Sequence, residues 1–535
     1  MKKRVFVLSL IAALSLTNIF ACGKKEEVEE KPAPVEEEKT EEVVEETYPT
    51  TVPEYAETSI EHEGDTTYFD GGLQFVQITD SDHPALSDAV NAAFQDLLTK
   101  YNDTAEMYEE DSKEFNEEMN SYEEESEEES EEESEEEFQE EPYIYQYYYN
   151  ITTEVTRCDE DIFSVMVVEE MYAGGAHGGM VYHGFTFDSK TGQSLENKEI
   201  VPDTTDLSEY ILSMIDKGAD DVKEALYPEY KENINQSFTE YYDVMGMWLD
   251  ERGVVVAFQQ YDIAPYAAGP FFFTVPYTMI ETFNPEYIPA SSSFISFTLN
   301  YVGVADMVEI DDNGKFTTIY GHNNYDSETG FYTYTAYVGE ETINIDDVGY
   351  YNFDAYYTKS NGHSFLFIDG RSDNDMATTY VYQLDGGVKK IDTMEGLGVG
   401  EIEDGQVNMT SRIDVLSTWT ASQLYSYDAN GLAQVDDIYK IDNNPNQALF
   451  PQGLKLMQPL EYSTDKDDFS VTSTIEAGTL IYPITYIEGE ENILEFVTED
   501  GVDGFITFEI MEDGITHSIN GVSEYDLFET LYYAG

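Results

Sequence analysis

The chain is 535 residues long and carries 111 Asp and Glu against 25 Lys and Arg, a formal net charge of −86. That balance excludes a nucleic-acid partner, since phosphate binding needs a basic surface, and leaves cations and basic proteins as what the surface attracts. The length exceeds what one core supports, so three or four domains are expected.

The first element is an export signal. Lys2, Lys3 and Arg4 precede an apolar run from Val5 to Leu16 and then Ile19-Phe20-Ala21-Cys22, an order that is processed rather than folded. The run is shorter than the roughly 20 residues of a spanning helix. Its last four residues resemble the lipobox of bacterial lipoproteins, with Phe20 bulkier than the small residue usual there. The resemblance implies a lipoprotein signal peptide over 1–21, a lipid such as palmitate on Cys22, and anchoring at the extracytoplasmic face of the cell membrane. Cys158 then stands alone in what reads as a turn between strands. Its neighbours Asp159 and Glu160 raise a thiol pKa and disfavour a reactive thiolate.

Residues 22–54 are Glu-rich and broken by Pro32 and Pro34, a composition that buries too little apolar area to order the chain and reads as a self-repelling tether. A small α+β domain follows over 55–170. Its helix is expected from Ala85 to Tyr101, with Leu86, Val90, Ala93, Phe94 and Leu97 at helical spacing and Ser81 or Asp82 as cap before Pro84. Residues 121–141 repeat Ser-Glu-Glu-Glu at Ser126, Ser130 and Ser134. Like charges at i,i+4 oppose a helix, so a disordered acidic insertion is expected there. The strand-like runs Tyr143 to Thr156 and Ile162 to Tyr172 make a hairpin around Asp159 to Asp161.

A further unit is expected over 171–285. It opens on Tyr172-Ala173-Gly174-Gly175-Ala176-His177-Gly178-Gly179, where four glycines around one histidine permit positive φ and close backbone approach. A helix follows, capped by Asp206, with Leu207, Ile211, Met214 and Ile215 as its buried stripe. Met245 to Leu249 and Val254 to Tyr261 form a hairpin through Asp250 to Gly253. It ends in Tyr261-Asp262-Ile263-Ala264-Pro265-Tyr266-Ala267-Ala268-Gly269, ahead of a strand from Phe271 to Pro276.

These two motifs, with Phe187-Asp188, Thr191-Gly192 and Val275-Pro276-Tyr277, resemble the RsiV-like extracellular domain. That domain occurs in lysozyme-sensing anti-sigma factors and, joined to a catalytic domain, in PdaC-type peptidoglycan deacetylases. The unit upstream resembles the companion domain that precedes it, so the resemblance covers about residues 55 to 285. No sigma-binding segment before a spanning helix is seen, nor a separate domain with a deacetylase's metal-binding Asp and His motifs. The resemblance therefore implies the binding or sensing part without the catalytic one.

From 294 to 443 the chain reads as successive β-hairpins, a propeller fragment or an irregular sheet. Turns are expected at Asp311 to Gly314, Asp369-Gly370, Asp385 to Gly387 and Asp428 to Gly431. Residues 453–535, with Ala477 to Pro483, Ile493 to Thr498 and Asp500 to Phe508, resemble a separate SH3-like barrel, capped by Ile519-Asn520-Gly521 and Phe528 to Gly535. The fold class is thus α+β in the N-terminal half and mostly β in the C-terminal half, in several domains.

The histidines at 62, 83, 177, 183, 322, 363 and 517 show no spaced zinc signature, and there is no nucleophile elbow or phosphate loop. No enzyme activity, metal or cofactor is therefore expected. His177 is either a hydrogen-bonding residue at a glycine-lined contact, with Tyr172, Tyr182, Asp262 and Tyr266 near it, or a residue that pins one motif to the other with Asp262 orienting its ring. The expected function is a lipid-anchored extracytoplasmic binding or sensing protein for a cell-wall component such as peptidoglycan or a basic, lysozyme-like protein. The alternatives are a wall-modifying hydrolase and a non-catalytic scaffold lipoprotein.

Overall fold

The computed structural model describes residues 49–535 apart from 63, 129–143, 290–293, 300–303, 312–315, 373–376, 446–447, 449–450, 471, 490 and 535. The signal segment, Cys22, most of the tether and the acidic run beyond 128 lie outside the described residues. Among the described residues no helix is long and apolar enough to cross a membrane.

The N-terminal half begins with β1 (Tyr55–Glu61), β2 (Phe69–Ile78), α1 (Pro84–Glu128), β3 (Tyr147–Cys158), β4 (Ile162–Tyr172) and β5 (Gly179–Asp188). They form one sheet in the order β1-β2-β3-β4-β5. Only β2 and β3 pair in parallel, and α1 is the crossover that such a pair requires. Leu86, Val90, Phe94, Leu97, Tyr101 and Ala105 recur every three or four residues along α1 and pack on Phe69, Phe75, Tyr149, Ile151, Val165 and Val167 of the sheet. Each fully buried Val, Leu, Ile or Phe among them contributes on the order of 1.5–3 kcal/mol.

The structure corrects three expectations here. α1 continues through Glu128, so the acidic run is helical over its first eight residues. The extension past Tyr101 is held from outside the helix: Phe115 meets Tyr145 edge-on at 5.4 Å, and Asn116 bonds both the amide and the carbonyl of Tyr145. Neither Ser81 nor Asp82 caps α1; His83 precedes Pro84 and its carbonyl accepts from the Ser87 amide at 2.9 Å, while Asp80 shapes the turn ahead of the helix, its Oδ1 accepting from the amides of Asp82 and His83 at 2.9 Å. The boundary expected at 170/171 falls inside β4, a middle strand of one sheet that pairs with β3 on one side and with β5 on the other.

Next come α2 (Asn197–Ile200), α3 (Thr205–Lys217), α4 (Asp220–Ala225) and α5 (Tyr230–Glu240), then β6 (Gly246–Leu249), β7 (Gly253–Phe258) and β8 (Phe271–Pro276). Leu207, Ile211, Met214 and Ile215 of α3 are the expected buried stripe. They join Ile234 and Phe238 of α5 against Leu249, Val254, Val256, Phe271 and Phe273. Asp206 is not the cap. It lies in the first turn of α3 and accepts from the Glu281 amide at 2.7 Å. The opposite face of the small sheet, Trp248, Val255 and Ala257, packs on Met166 and Tyr182 of the first sheet, so β6 to β8 are covered on both sides.

The C-terminal half contains β9 (Ile295–Thr298) and three successive antiparallel meanders. These are β10 (Asp306–Glu309), β11 (Phe316–Tyr325), β12 (Tyr332–Val338) and β13 (Glu341–Tyr350); β14 (Asn352–Ser360), β15 (His363–Arg371), β16 (Ala377–Gln383) and β17 (Lys389–Glu395), with β9 on the edge of β14; and β18 (Gly398–Glu403), β19 (Gln406–Asp414), β20 (Thr418–Asp428) and β21 (Gly431–Ile441). They stack like blades. Leu366 and Ile368 of β15 face the first meander with Ile319 and Ala336, while Phe365 and Phe367 face the third with Val407 and Met409. Asp369-Gly370 is therefore not a turn. Both residues lie in β15, paired with Thr379 and Thr378 of β16, because a strand buried on both faces continues through a Gly that its neighbours can pack against.

The last strands are β22 (Leu454–Lys455), β23 (Leu460–Ser463), β24 (Thr472–Ile475), β25 (Leu480–Ile487), β26 (Asn492–Thr498) and β27 (Asp503–Ile510). They do not stand as a separate barrel. β25 pairs with β21 at Ile438–Ile487, Tyr439–Tyr486 and Lys440–Thr485, and Leu416, Trp419 and Ile441 share one core with Leu454, Ile481, Leu494 and Phe496. Pairing covers an edge that β21 would otherwise leave open.

Candidate functional site

The two glycine-containing motifs meet at the surface where the first sheet adjoins β6 to β8. Their junction is built on side-chain bonds to backbone groups. The Gln259 side chain pairs with the edge of β5, its Nε2 donating to the Tyr182 carbonyl at 2.8 Å and its Oε1 accepting from the Tyr182 amide at 2.9 Å. The loop after Gln259 is turned by Asp262, whose carboxylate accepts from the Gln259 amide at 2.7 Å. This delivers Tyr261 and Tyr266 to His177.

The His177 imidazole lies on the Tyr266 ring, centroids 3.7 Å apart and planes 21° from parallel. Its Nδ1 is 2.8 Å from the Gly178 carbonyl. A carbonyl only accepts, so Nδ1 carries the proton, and in the neutral ring Nε2 is left to accept from the Tyr261 hydroxyl at 3.2 Å. Tyr172 stacks on Tyr148 with centroids at 5.9 Å and planes 23° apart, and its hydroxyl donates to the Gly175 carbonyl at 3.2 Å. Burial and the adjoining Glu170 carboxylate push the Tyr148 phenol above its usual pKa, with Tyr266 and Tyr172 adding to the effect. Gly178 must lack a side chain, since a Cβ there would stand 2.8 Å from the Tyr148 hydroxyl and 2.9 Å from the Met171 carbonyl.

Of the expected site residues, Tyr172, His177 and Tyr266 therefore belong to one surface cluster. Tyr182 lies at its base, edge-on to Phe272 at 4.7 Å. Asp262 does not orient the His177 ring; its carboxylate is committed to the turn at Gln259, and the ring is held by Tyr261 and Tyr266. Two members were not singled out from the sequence. Tyr148 sits between the buried Tyr147 and Tyr149, and the period of two in a strand points it to the other face. Tyr261 is 53% exposed and has φ of 73°, a conformation costing a bulky L-residue roughly 1–2 kcal/mol with no burial to offset it.

Chemically, the cluster offers ring faces, phenol hydroxyls and one imidazole. Among the described residues no group of three or more His, Cys, Asp or Glu is placed to hold a metal ion. Cys158 ends β3 rather than lying in a turn; its thiol donates to the Pro53 carbonyl at 3.3 Å. Burial, with Asp159 and Asp80, pushes that thiol up to about 11.

Comparison with known proteins falls on the same region. The family model described as Deacetylase PdaC matches residues 62–180, and the one described as Protein of unknown function (DUF3298) matches residues 200–278. A solved DUF3298 family member from Bacteroides fragilis is 20% identical over 44% of this chain and 94% of its own, with a TM-score of 0.32. A DUF3298 family protein from Pseudomonas aeruginosa is 13% identical over 45% of this chain and 98% of its own, with a TM-score of 0.30. No curated protein matches the chain. The N-terminal half thus carries a PdaC-type domain followed by a DUF3298-type domain, and the His177 cluster is contributed by both: Tyr148, Tyr172 and His177 from the first match, Tyr261 and Tyr266 from the second.

Proposed function

We propose that this is a non-enzymatic binding protein of the cell surface, lipid-anchored through Cys22 at the extracytoplasmic face, which captures a basic, lysozyme-like protein on the cluster of Tyr148, Tyr172, His177, Tyr261 and Tyr266. The observation that carries the reading is the cluster itself: five rings from two domains gathered at the surface, with a strained and exposed Tyr261 among them and the Glu170 carboxylate beside Tyr148. Tyrosines are enriched among residues that dominate binding energy, and an Arg or Lys head over a ring face adds a cation–π term of about 0.5–1 kcal/mol or more. A chain charge of −86 raises the association rate of a basic partner at low salt.

The test is a pull-down with the full chain, using lysozyme and purified peptidoglycan as separate baits at low and high salt. Saturable capture of lysozyme that is lost on replacing Tyr172, His177 and Tyr266 by alanine supports the proposal. Capture of peptidoglycan alone moves the partner to the wall, and soluble sugar or peptide released from the wall replaces binding by hydrolysis.

A further inference from the structure

Away from the ring cluster, a cleft of about 250 Å³ opens between β8 and the start of the C-terminal half; Arg252, Asp306, Thr274, Pro270, Phe272 and Leu299 are among its lining residues. Arg252 is fixed from three sides. Its Nε donates to Asp250 at 3.1 Å and its Nη2 to Thr274 at 2.9 Å, and the guanidinium lies 3.9 Å from the centre of the Phe297 ring. Its Nη1 has no hydrogen-bond acceptor among the described residues and lies 3.8 Å from the Asp306 carboxylate. The Asp306 carboxylate in turn accepts no hydrogen bond among the described residues, and its side chain is 18% exposed. Burial pushes its carboxyl up to about 6 despite Arg252, with Asp250 adding to the rise.

Arg252 and Asp306 are held 3.8 Å apart, beyond hydrogen-bond range, and their side chains stay 24% and 18% exposed, so an occupant of the cleft can reach both. The arrangement is complementary to a ligand carrying both charges. A carboxylate on the guanidinium makes the strong charge-assisted bond that Nη1 lacks, and an ammonium on Asp306 supplies the donors that its oxygens lack. At about 30 Å³ per water the cleft holds the volume of roughly eight waters, the size of a single amino acid and below the range of drug-sized sites. Pro270, Phe272 and Leu299 form an apolar wall beside the charges.

We infer that this cleft binds a small zwitterion of the free amino-acid class, its carboxylate on Arg252, its ammonium on Asp306 and an apolar side chain against Pro270, Phe272 and Leu299. The site shares no residue with the ring cluster and does not depend on the partner proposed for it, although Phe272 of its wall meets Tyr182 at the base of that cluster. Because Arg252 belongs to the turn before β7 and Asp306 to β10, an occupant joins the two halves of the described chain.

The test is calorimetric titration of the full chain at neutral pH with glycine, L-alanine and L-leucine, and with L-leucinamide and N-acetyl-L-leucine, which each lack one of the two charges. The expected result is saturable binding of leucine, weakened tenfold or more in both derivatives and in the Asp306→Asn protein, whose folding is checked by its circular dichroism. The Arg252→Lys variant, which keeps the charge and loses the fork, is expected to weaken leucine while leaving the ring cluster's protein partner unaffected. Failure of all three amino acids to bind the folded chain overturns the proposal, as does equal binding of leucine and its two derivatives.

Discussion

His177 and Tyr266 stack at 3.7 Å across a junction of two chain segments 89 positions apart, their planes 21° from parallel, whereas Tyr261 meets the imidazole at 40° and 6.4 Å. The contact is at the surface, so it adds little to the core, and its removal separates binding from folding. Tyr266→Ala and His177→Ala are each expected to weaken the partner complex by about 2 kcal/mol, some 30-fold, with urea midpoints near that of the parent chain. Asp262→Ala is expected to do the reverse, costing about 1 kcal/mol of stability through the lost Gln259 bond and changing affinity less. Titration of all three variants alongside urea unfolding checks the separation.

Close approach of two backbones governs the second prediction. A Cβ on Gly184 would fall 1.7 Å from the Met247 carbonyl oxygen, where β5 lies against β6. Neither backbone can yield without moving its sheet, so Gly184→Ala is expected to destabilise the N-terminal half by more than about 3 kcal/mol. Its urea midpoint should fall accordingly, and capture on the ring cluster should weaken because Tyr182 and Gln259 lie on the displaced edge.

These cases show which features of the fold were legible. The stripe Leu86, Val90, Phe94 and Leu97 announces the start of α1, and the stripe on α3 is equally plain, because each is a local period set by burial. The end of α1 was not legible: Asn116 is held by Tyr145, across an acidic segment whose local charge opposes a helix. Asp369-Gly370 has the composition of a turn, yet Asp369 is satisfied in mid-strand by Thr379 and Val399, partners that only the folded sheet supplies. At the site, both motifs could be read as motifs and their meeting anticipated. Tyr148 could have been found from the alternation Tyr147, Tyr148, Tyr149, whereas the commitment of Asp262 to Gln259 depends on a loop conformation that residue types alone do not specify.

Continuity of the last sheet leads to a third expectation. Removing residues 453–535 strips β25 from β21 and exposes Leu416 and Trp419, which are 0% and 6% exposed in the intact chain. The truncated protein is expected to aggregate or to bind a hydrophobic dye, since an open edge beside a bare apolar face invites pairing. A truncated chain that stays monomeric with an unchanged melting profile of the remainder would restore the separate barrel.

The final prediction rests on two buried carboxylates that burial raises alike and whose partners outweigh it in one and fall short in the other. Burial would raise Glu169, but bonds from His183, from Lys100 at 2.6 Å and from Tyr149 at 2.5 Å hold it at about 2 against an ordinary 4.5. Its folded pKa lies below its unfolded one, so its stabilisation is present above about 4.5 and is lost as pH falls towards 2. Asp369 has only the Thr379 hydroxyl at 3.0 Å, the Val399 amide at 3.3 Å and Arg371 at 3.5 Å, and burial pushes it up to about 6. With the folded pKa above the unfolded one, its protonated form favours the folded state, and stability is lost as pH rises from about 4 to about 6. Each shift corresponds to about 3 kcal/mol. Glu169→Gln is therefore expected to lower stability at pH 7 by about that amount and to flatten the acid limb below pH 4.5. Asp369→Asn is expected to leave stability at pH 7 unchanged or raised, because the ionisation penalty is removed while an acceptor for Thr379 remains, and to abolish the decline between pH 4 and 6. Urea unfolding of the three proteins from pH 3 to 7 distinguishes them: parallel curves for parent and Asp369→Asn would mean that Asp369 is ionised without penalty, and parallel curves for parent and Glu169→Gln would mean that its three donors do not outweigh its burial.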